Sequence, residues 1–193
     1  MQMTKQGNIG LLVKPIKGRT VLKWGIIFVV VFAVVLSALY ALIFYNIKPP
    51  KETNLIANFH VHRAAYERLR DMLLADQNVR AVYVEFGVKT VSSGLPHEPS
   101  EVNFPVSRYN EYVTLLEQIG SDAAFRNEGT KNQLICIGAW GAGWAGDTRH
   151  IWVCWTDSAP NNQVTNLDDY YRNSRKPNNV FKHIDGEWYL RAD

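Results

Sequence analysis

A run of glycines lies in the middle of the chain, where Gly141, Gly143 and Gly146 follow G-x-G-x-x-G spacing. In a dinucleotide-binding domain, such glycines let the backbone approach a pyrophosphate where a strand leads into a helix. Residues 132–140 fit the strand, but residues 147–156 are rich in β-branched and aromatic types and predict another strand. We therefore predict no nucleotide and no other cofactor, and interpret the glycines as turns or bulges of an antiparallel meander.

Tryptophan is concentrated in the same part of the chain, with four residues between positions 140 and 155. An exposed set of indole rings could stack against sugars, and three of them form a candidate aromatic ligand surface: Trp140, Trp144 and Trp152. Large aromatic side chains between a sheet and helices more often belong to the core, and we favour that interpretation.

The two cysteines of the chain, Cys136 and Cys154, flank this run. An even number of cysteines in an exported protein favours a disulfide. If the two strands form one long hairpin centred near Ala145, the cysteines are equidistant from its centre and face each other. If a short strand over 142–147 intervenes, they are not direct neighbours. The candidate disulfide therefore depends on the strand topology, and two buried thiols are the alternative.

Histidines and carboxylates show no spacing that assigns a catalytic or metal site. His60 and His62 lie in a predicted helix, where residues i and i+2 point about 200° apart and cannot chelate one ion. No Ser-His-Asp, Cys-His or paired-carboxylate arrangement follows from the spacing. We predict no catalytic residues, no cofactor-binding residues and no metal ligands, and we favour a protein that is not an enzyme.

Two amphipathic helices are predicted to position these residues. The first covers about 58–77, where one face carries Phe59, His62, Tyr66, Leu69 and Leu73. The second covers about 107–119, with Ser107 as its N-cap and Gly120 at its end. A strand is predicted over 79–87, a loop over 90–106 and another loop from about 160 to 177.

The end of the chain predicts a β-hairpin. Asp185 and Gly186 lie between two alternating apolar runs, and this pair favours a two-residue turn because both central positions need φ > 0. Such a turn pairs His183 with Trp188 and Phe181 with Leu190. We expect these four side chains to share the face that packs on the core.

Near the start of the chain, residues 24–45 contain no charged side chain. A helix of this length rises about 33 Å, which is enough to cross a hydrocarbon core of about 30 Å. Five cations and no acid precede it: Lys5, Lys14, Lys17, Arg19 and Lys23. The positive-inside rule then places the N-terminus in the cytoplasm. A cleaved signal peptide is the alternative, but its apolar region is typically about 7–15 residues long.

The predicted organisation has four parts: a cytoplasmic basic tail (1–23), a transmembrane helix (24–45), a linker (46–57) and an extracytoplasmic domain (58–193). The predicted location is the cytoplasmic (inner) membrane, crossed once, with the C-terminal domain periplasmic or extracellular. The predicted partners are the lipid bilayer, through residues 24–45, and an envelope protein.

The formal charge of +3 reflects the N-terminal cations. Without those five, 16 of the 21 Lys and Arg residues remain against 18 acids in residues 46–193, a net of −2. Nucleic-acid binding would need clustered cations on the folded domain, and these cations are dispersed. We predict no nucleic-acid partner.

The extracytoplasmic part carries three stretches in order: NFHVHRAAYERLRDMLLAD, RYNEYVTLLEQIG and FKHIDGEWYL. In these it resembles a widespread group of bacterial exported proteins of unknown function, anchored as lipoproteins or by one N-terminal helix. The group has a glycine-serine-x-lysine-glycine run where this chain has GDTRH at 146–150, so the middle strands depart from the pattern. The resemblance implies a small α+β domain held at the membrane, and implies no activity or catalytic residue.

The predicted fold class is therefore α+β, with a mostly antiparallel sheet and two main helices on one face. The predicted function is a membrane-anchored, extracytoplasmic binding or interaction module of the bacterial cell envelope. Two alternatives stay open: a hydrolase of envelope glycan or peptidoglycan, suggested by the tryptophans, and an immunity-type protein that neutralises a toxin at the membrane.

Overall fold

The structure, a computed structural model, describes residues 18–46, 48–127, 133–142, 149–173 and 179–193. The chain divides into two units, one ending at Asn46 and one formed by the residues that follow. Most of the predicted basic tail, residues 1–17, lies outside the described residues. Trp144 and two glycines of the run, Gly143 and Gly146, also lie outside them.

The first unit contains one helix, α1 (Gly18–Asn46). Residues 26–40 of this helix all have exposed side chains. Within the described part of the chain, no helix is both long enough and apolar enough to cross a membrane. The predicted span of residues 24–45 falls within α1, but the side chains at 24, 25 and 41–45 are outside the description.

The second unit is built on one antiparallel sheet, in the strand order β2-β1-β3-β4-β5-β7-β6. Its described strands are β1 (Val79–Tyr83), β2 (Gly87–Thr90), β3 (Ala123–Asn127), β4 (Leu134–Ala142), β5 (Arg149–Thr156), β6 (Val180–Asp185) and β7 (Trp188–Ala192). Its described helices are α2 (Glu52–Val61), α3 (Arg63–Ala75), α4 (Val106–Ile119) and α5 (Leu167–Asn173), with a 3₁₀ turn at Pro99–Val102. The α+β class with an antiparallel sheet is confirmed.

The core joins the helices to alternate residues of the central strands. Side chains of α2, α3 and α4 share one buried cluster with Ile135 and Ile137 of β4 and Val153 of β5. Cys136, between the two isoleucines, lies outside that cluster, because successive residues of a strand point to opposite faces. The cluster is closed by three aromatic side chains whose ring centroids lie 5.3–6.2 Å apart: Phe59, Tyr66 and Trp188.

The prediction of one helix over about 58–77 was wrong at its start and in the middle. Helix α2 begins at Glu52, inside the predicted 46–57 linker, and the chain breaks at His62 before α3 begins. His62 has φ −111° and ψ 19°, and its backbone N–H still donates to Asn58 O at 3.1 Å. The rings of Phe59 and Tyr66, one from each helix, both contact Trp188, and the regular spacing of these apolar residues does not reveal the break.

The predicted single strand over 79–87 is two strands. A turn after Tyr83 reverses the chain, and β2 begins at Gly87, inside that prediction. Gly87 has φ +83°, in the left-handed region that favours glycine. A Cβ at this position would overlap the carbonyl of His97, which accepts the Val88 N–H at 2.8 Å. A residue without a side chain is therefore needed here.

A short helix, α5, lies within the stretch predicted as a loop from about 160 to 177. Its Leu167 N–H donates to Glu52 Oε2 at 2.5 Å, and the Glu52 N–H donates to Asp168 Oδ1 at 2.9 Å. Each helix thus receives a carboxylate at its N-terminus, where free amides and the helix dipole favour negative charge. Because the partners are more than 110 residues apart, these two bonds depend on the tertiary fold.

The terminal hairpin exists, but its predicted register was wrong. Asp185 pairs with Trp188 and His183 pairs with Tyr189, with an irregularity between them. Gly186 alone has positive φ in this turn, whereas the predicted turn needs it at Asp185 too. Trp188 and Leu190 therefore lie in the core, and the rings of His183 and Phe181 contact Tyr189, which lies outside the core cluster.

Candidate functional site

The sheet ends in a groove where two strands extend past their neighbour. Strand β3 pairs with β4 only as far as the Ala124–Ile137 pair, whereas β4 continues to Ala142 beside β5. A groove of about 710 Å³ lies beside this extension. Its polar and aromatic lining residues are Tyr83, Phe86, Ser121, Asp122, Trp140, His150 and Trp152, with backbone from residues 138–142.

Two of the three tryptophans predicted as a ligand surface line this groove. Trp152 lies opposite Gly138, and Trp140 lies opposite Ile151, which is buried in the core. An irregularity between Gly138 and Trp140 produces this change of face. Both rings are partly accessible rather than buried, so the core interpretation does not account for them fully. Trp155 is outside the groove.

The Trp152 ring is held in place from two sides. Its indole Nε1 donates to Asp193 Oδ1 at 3.2 Å, and Arg191 Nη2 binds the other oxygen of that carboxylate at 3.1 Å. The Phe125 ring meets Trp152 edge-to-face, with centroids 4.9 Å apart and an interplanar angle of 86°. His150 lies beside Trp152 at 5.4 Å between centroids. An aromatic ring fixed in this way loses little conformational entropy when it binds a ligand.

Two glycines of β4 leave room for the polar groups of the groove. A Cβ at Gly138 would lie 3.1 Å from both Asp122 Oδ1 and Ser121 Oγ. A Cβ at Gly141 would lie 3.0 Å from Cδ2 of the His150 ring. Gly141 is the one described glycine of the G-x-G-x-x-G run, and it lies in an antiparallel hairpin, not before a helix.

The end of helix α4 places Asp122 in the groove. Gly120 closes the helix with φ +70°, and its N–H and that of Ser121 both reach carbonyls of the last turn. The Asp122 carbonyl accepts the Val84 N–H at 2.9 Å, and this bond fixes the loop. Burial, followed by the charge of Asp122, raises the pKa of Tyr83.

The Asp122 side chain is available to a ligand. The residue is exposed, and its carboxylate has no hydrogen bond or ion pair within the described part of the chain. Sequence reasoning did not identify Asp122, Tyr83, Phe86 or His150, because they come from separate loops and strands. Only the helix-ending Gly120 indicated that a loop begins here.

A disulfide joins the two strands that carry the tryptophans. Cys136 of β4 and Cys154 of β5 are directly opposite, with Cα atoms 4.1 Å apart and a sequence separation of 18. The next pair on the same face is Gly138 with Trp152. The bridge therefore fastens the hairpin one pair away from the groove.

The groove has the chemistry of a binding site. Among its described residues one carboxylate, Asp122, and one imidazole, His150, accompany the aromatic rings, and none is Lys or Arg. The described part of the chain contains no group of three or more potential metal ligands, and His60 lies in α2 with His62 at the break that follows. A pocket of several hundred Å³ with aromatic walls and few polar groups suits a small ligand.

Comparison of the chain with protein-family models, with curated proteins and with solved structures finds no match.

Proposed function

We propose that this protein is a membrane-anchored, extracytoplasmic binding module of the bacterial cell envelope, and that the groove beside β4 is its ligand site. The observation that carries the proposal is the fixed, partly accessible ring of Trp152 in one groove with the Asp122 carboxylate, which has no partner among the residues that the structure describes. An aromatic surface with a polar group beside it provides both contact area and orientation for a ligand.

The membrane anchor is supported by the side chains of α1. Fifteen consecutive residues, 26–40, are exposed, and Ser37 is the only hydrophilic type among them apart from the Tyr40 hydroxyl. The Ser37 hydroxyl donates to Ala33 O at 2.8 Å, so that its donor is satisfied within the helix. Exposed apolar surface of this extent is typical of a segment that contacts lipid or a partner.

The extracytoplasmic location is supported by the bridge between Cys136 and Cys154. Disulfides persist in oxidising compartments and are rare in the cytosol. The cationic flank before α1 favours the same orientation. The two features are independent, since one concerns topology in the membrane and the other concerns thiol chemistry.

A glycan hydrolase is the second candidate, because the groove combines Trp140 and Trp152 with Asp122 and His150. Glycoside hydrolysis commonly uses two carboxylates, one on each side of the scissile bond. The described groove residues include only Asp122. Binding is therefore the function that the site supports better.

Capture from gently solubilised membranes tests the proposal. We compare the tagged full chain with two groove variants, Asp122→Ala and Phe86→Ala, and with Leu95→Ala as a control. Phe86 is 66% exposed and lines the groove, whereas Leu95 is 72% exposed and lies elsewhere. We expect the wild type and Leu95→Ala to retain the same envelope component and the groove variants to lose it. A wild-type protein that repeatedly emerges alone would contradict the proposal.

A further inference from the structure

The charges of the groove limit the ligands that it can hold. Asp122 contributes a negative charge, and none of the described lining residues is Lys or Arg. A phosphate or carboxylate group would meet repulsion there and would find no charged donor, which such anions usually require. The described groove therefore disfavours nucleotides, acidic peptides and acidic sugars.

The two rings of the groove that belong to β1 and its turn are separate from the tryptophans. Tyr83 and Phe86 contact each other, with centroids 6.4 Å apart at 71°. Trp152 instead contacts Phe125 and His150. A cage for an ammonium group needs several rings around one point. The described ring contacts form two separate sets rather than one cluster.

The part of the groove around Trp152 combines an apolar ring with a hydrogen-bond acceptor, the Asp122 carboxylate. Its indole N–H already donates to Asp193, so the part of Trp152 that lines the groove acts as an apolar surface rather than as a donor. Across the strand, Gly138 leaves space for Asp122 Oδ1, which can accept hydrogen bonds from two hydroxyl groups. A ligand with an apolar face and hydroxyl groups at its rim satisfies both features.

We propose that the groove binds an uncharged carbohydrate, with one sugar ring stacked on Trp152 and its hydroxyls donating to Asp122. This inference rests on the proposed binding function and names the ligand class for that site. The volume of about 710 Å³ falls within the usual range of about 300–1,000 Å³ for ligand pockets. Oligomers of N-acetylated amino sugars carry no charge and belong to this class.

The experiment uses the full chain in a polyoxyethylene detergent, which carries neither sugar nor charge. Three probes are titrated by calorimetry: the neutral tetramer of N-acetylglucosamine, an anionic galacturonate tetramer and choline. We expect the neutral tetramer to bind and the other two probes not to bind. Galacturonate or choline binding as tightly as the neutral tetramer would overturn the inference.

Variants locate the site. Asp122→Ala removes an exposed acceptor, and we expect it to weaken binding roughly 10-fold, the usual effect of losing one hydrogen bond to a charged group. Trp152→Ala is expected to weaken it at least as much. Trp155→Ala is the matched control, because this tryptophan of the same strand donates to Glu187 at 2.9 Å outside the groove. Equal affinity in Asp122→Ala and the wild type would overturn the inference, even if Trp152→Ala fails to fold.

Failure of this inference can be distinguished from failure of the proposed function. If no sugar probe binds but Asp122→Ala still loses the component captured from membranes, the ligand class is wrong and the binding function stands. If Asp122→Ala binds and captures as the wild type does, the groove is not the site and both proposals fail.

Discussion

The hydroxyl of Tyr112 in α4 donates a hydrogen bond at 2.8 Å to Oδ2 of Asp76, the residue directly after the end of α3. Arg108 Nε binds the same oxygen at 2.9 Å. Tyr112 is completely buried, so this bond satisfies a polar group inside the interface of the two helices. We expect Tyr112→Phe to lower the free energy of unfolding by about 1–2 kcal/mol, because Asp76 loses a partner.

Urea unfolding of the full chain measures this change. Thr114→Ala is the control, since this residue of the same helix donates only to Asn110 O at an exposed position. We expect the control to change stability by no more than about 0.5 kcal/mol. Equal effects of the two substitutions would show that the contact between Tyr112 and Asp76 contributes nothing specific.

Stability is expected to fall at alkaline pH. Burial raises the pKa of Tyr66 from 10.0 to about 12, and burial and Asp76 raise the pKa of Tyr112 as well. Above pH 10 these tyrosine hydroxyls lose their protons in the unfolded chain but keep them in the native state. Their contribution to stability is therefore fully present below pH 10 and declines as the pH rises toward 12. Unfolding at pH 8, 10 and 11 should show a shallower decline for Tyr66→Phe. An unchanged slope would contradict the assignment to Tyr66.

Gly87 is expected to be the least replaceable glycine that the structure describes. Gly87→Ala combines a positive φ with an overlap between its Cβ and the His97 carbonyl. We expect this substitution to lower the free energy of unfolding by about 3 kcal/mol or more. Gly186 has a positive φ, but a Cβ there would meet open space, so Gly186→Ala should lower the free energy of unfolding by only about 1 kcal/mol. Gly94→Ala has neither problem and should be close to neutral. Thermal unfolding of the three variants gives the order directly.

The bridge between Cys136 and Cys154 is expected to stabilise the central hairpin. For a sequence separation of 18, loop-closure entropy predicts that replacing both cysteines by Ala lowers the free energy of unfolding by about 3 kcal/mol. Urea unfolding measures the loss. Alkylation of the unreduced, denatured protein should label no thiol, and mass spectrometry that finds two labelled cysteines would contradict the bridge.

The proposed topology predicts the side of the membrane on which the chain ends. A phosphatase reporter that folds only outside the cytoplasm, fused after Asp193, should be active. A fluorescent reporter that requires the cytoplasm should be inactive at the same position. The opposite pair of results would exclude an extracytoplasmic domain and would remove the compartment argument for the disulfide.

Several elements could be predicted from the sequence because short-range physics controls them. Helix α4 follows from its apolar spacing and the glycine that ends it, and the terminal hairpin, though not its register, follows from alternation and turn residues. The candidate cysteine pair also came from the sequence, but the topology that would bring the two together stayed open. Charge and composition alone led to the predictions of one membrane span and no nucleic-acid partner, which remain predictions.

The tertiary structure decided what the sequence left open. An irregularity between Gly138 and Trp140 of β4 places Trp140 opposite the core residue Ile151, and periodicity does not show where such an irregularity lies. The groove itself exists because β4 and β5 extend past β3, while the α4–β3 loop brings Asp122 over Gly138. These contacts join residues that are distant in sequence and form only when the chain is folded. Local sequence patterns therefore do not reveal them.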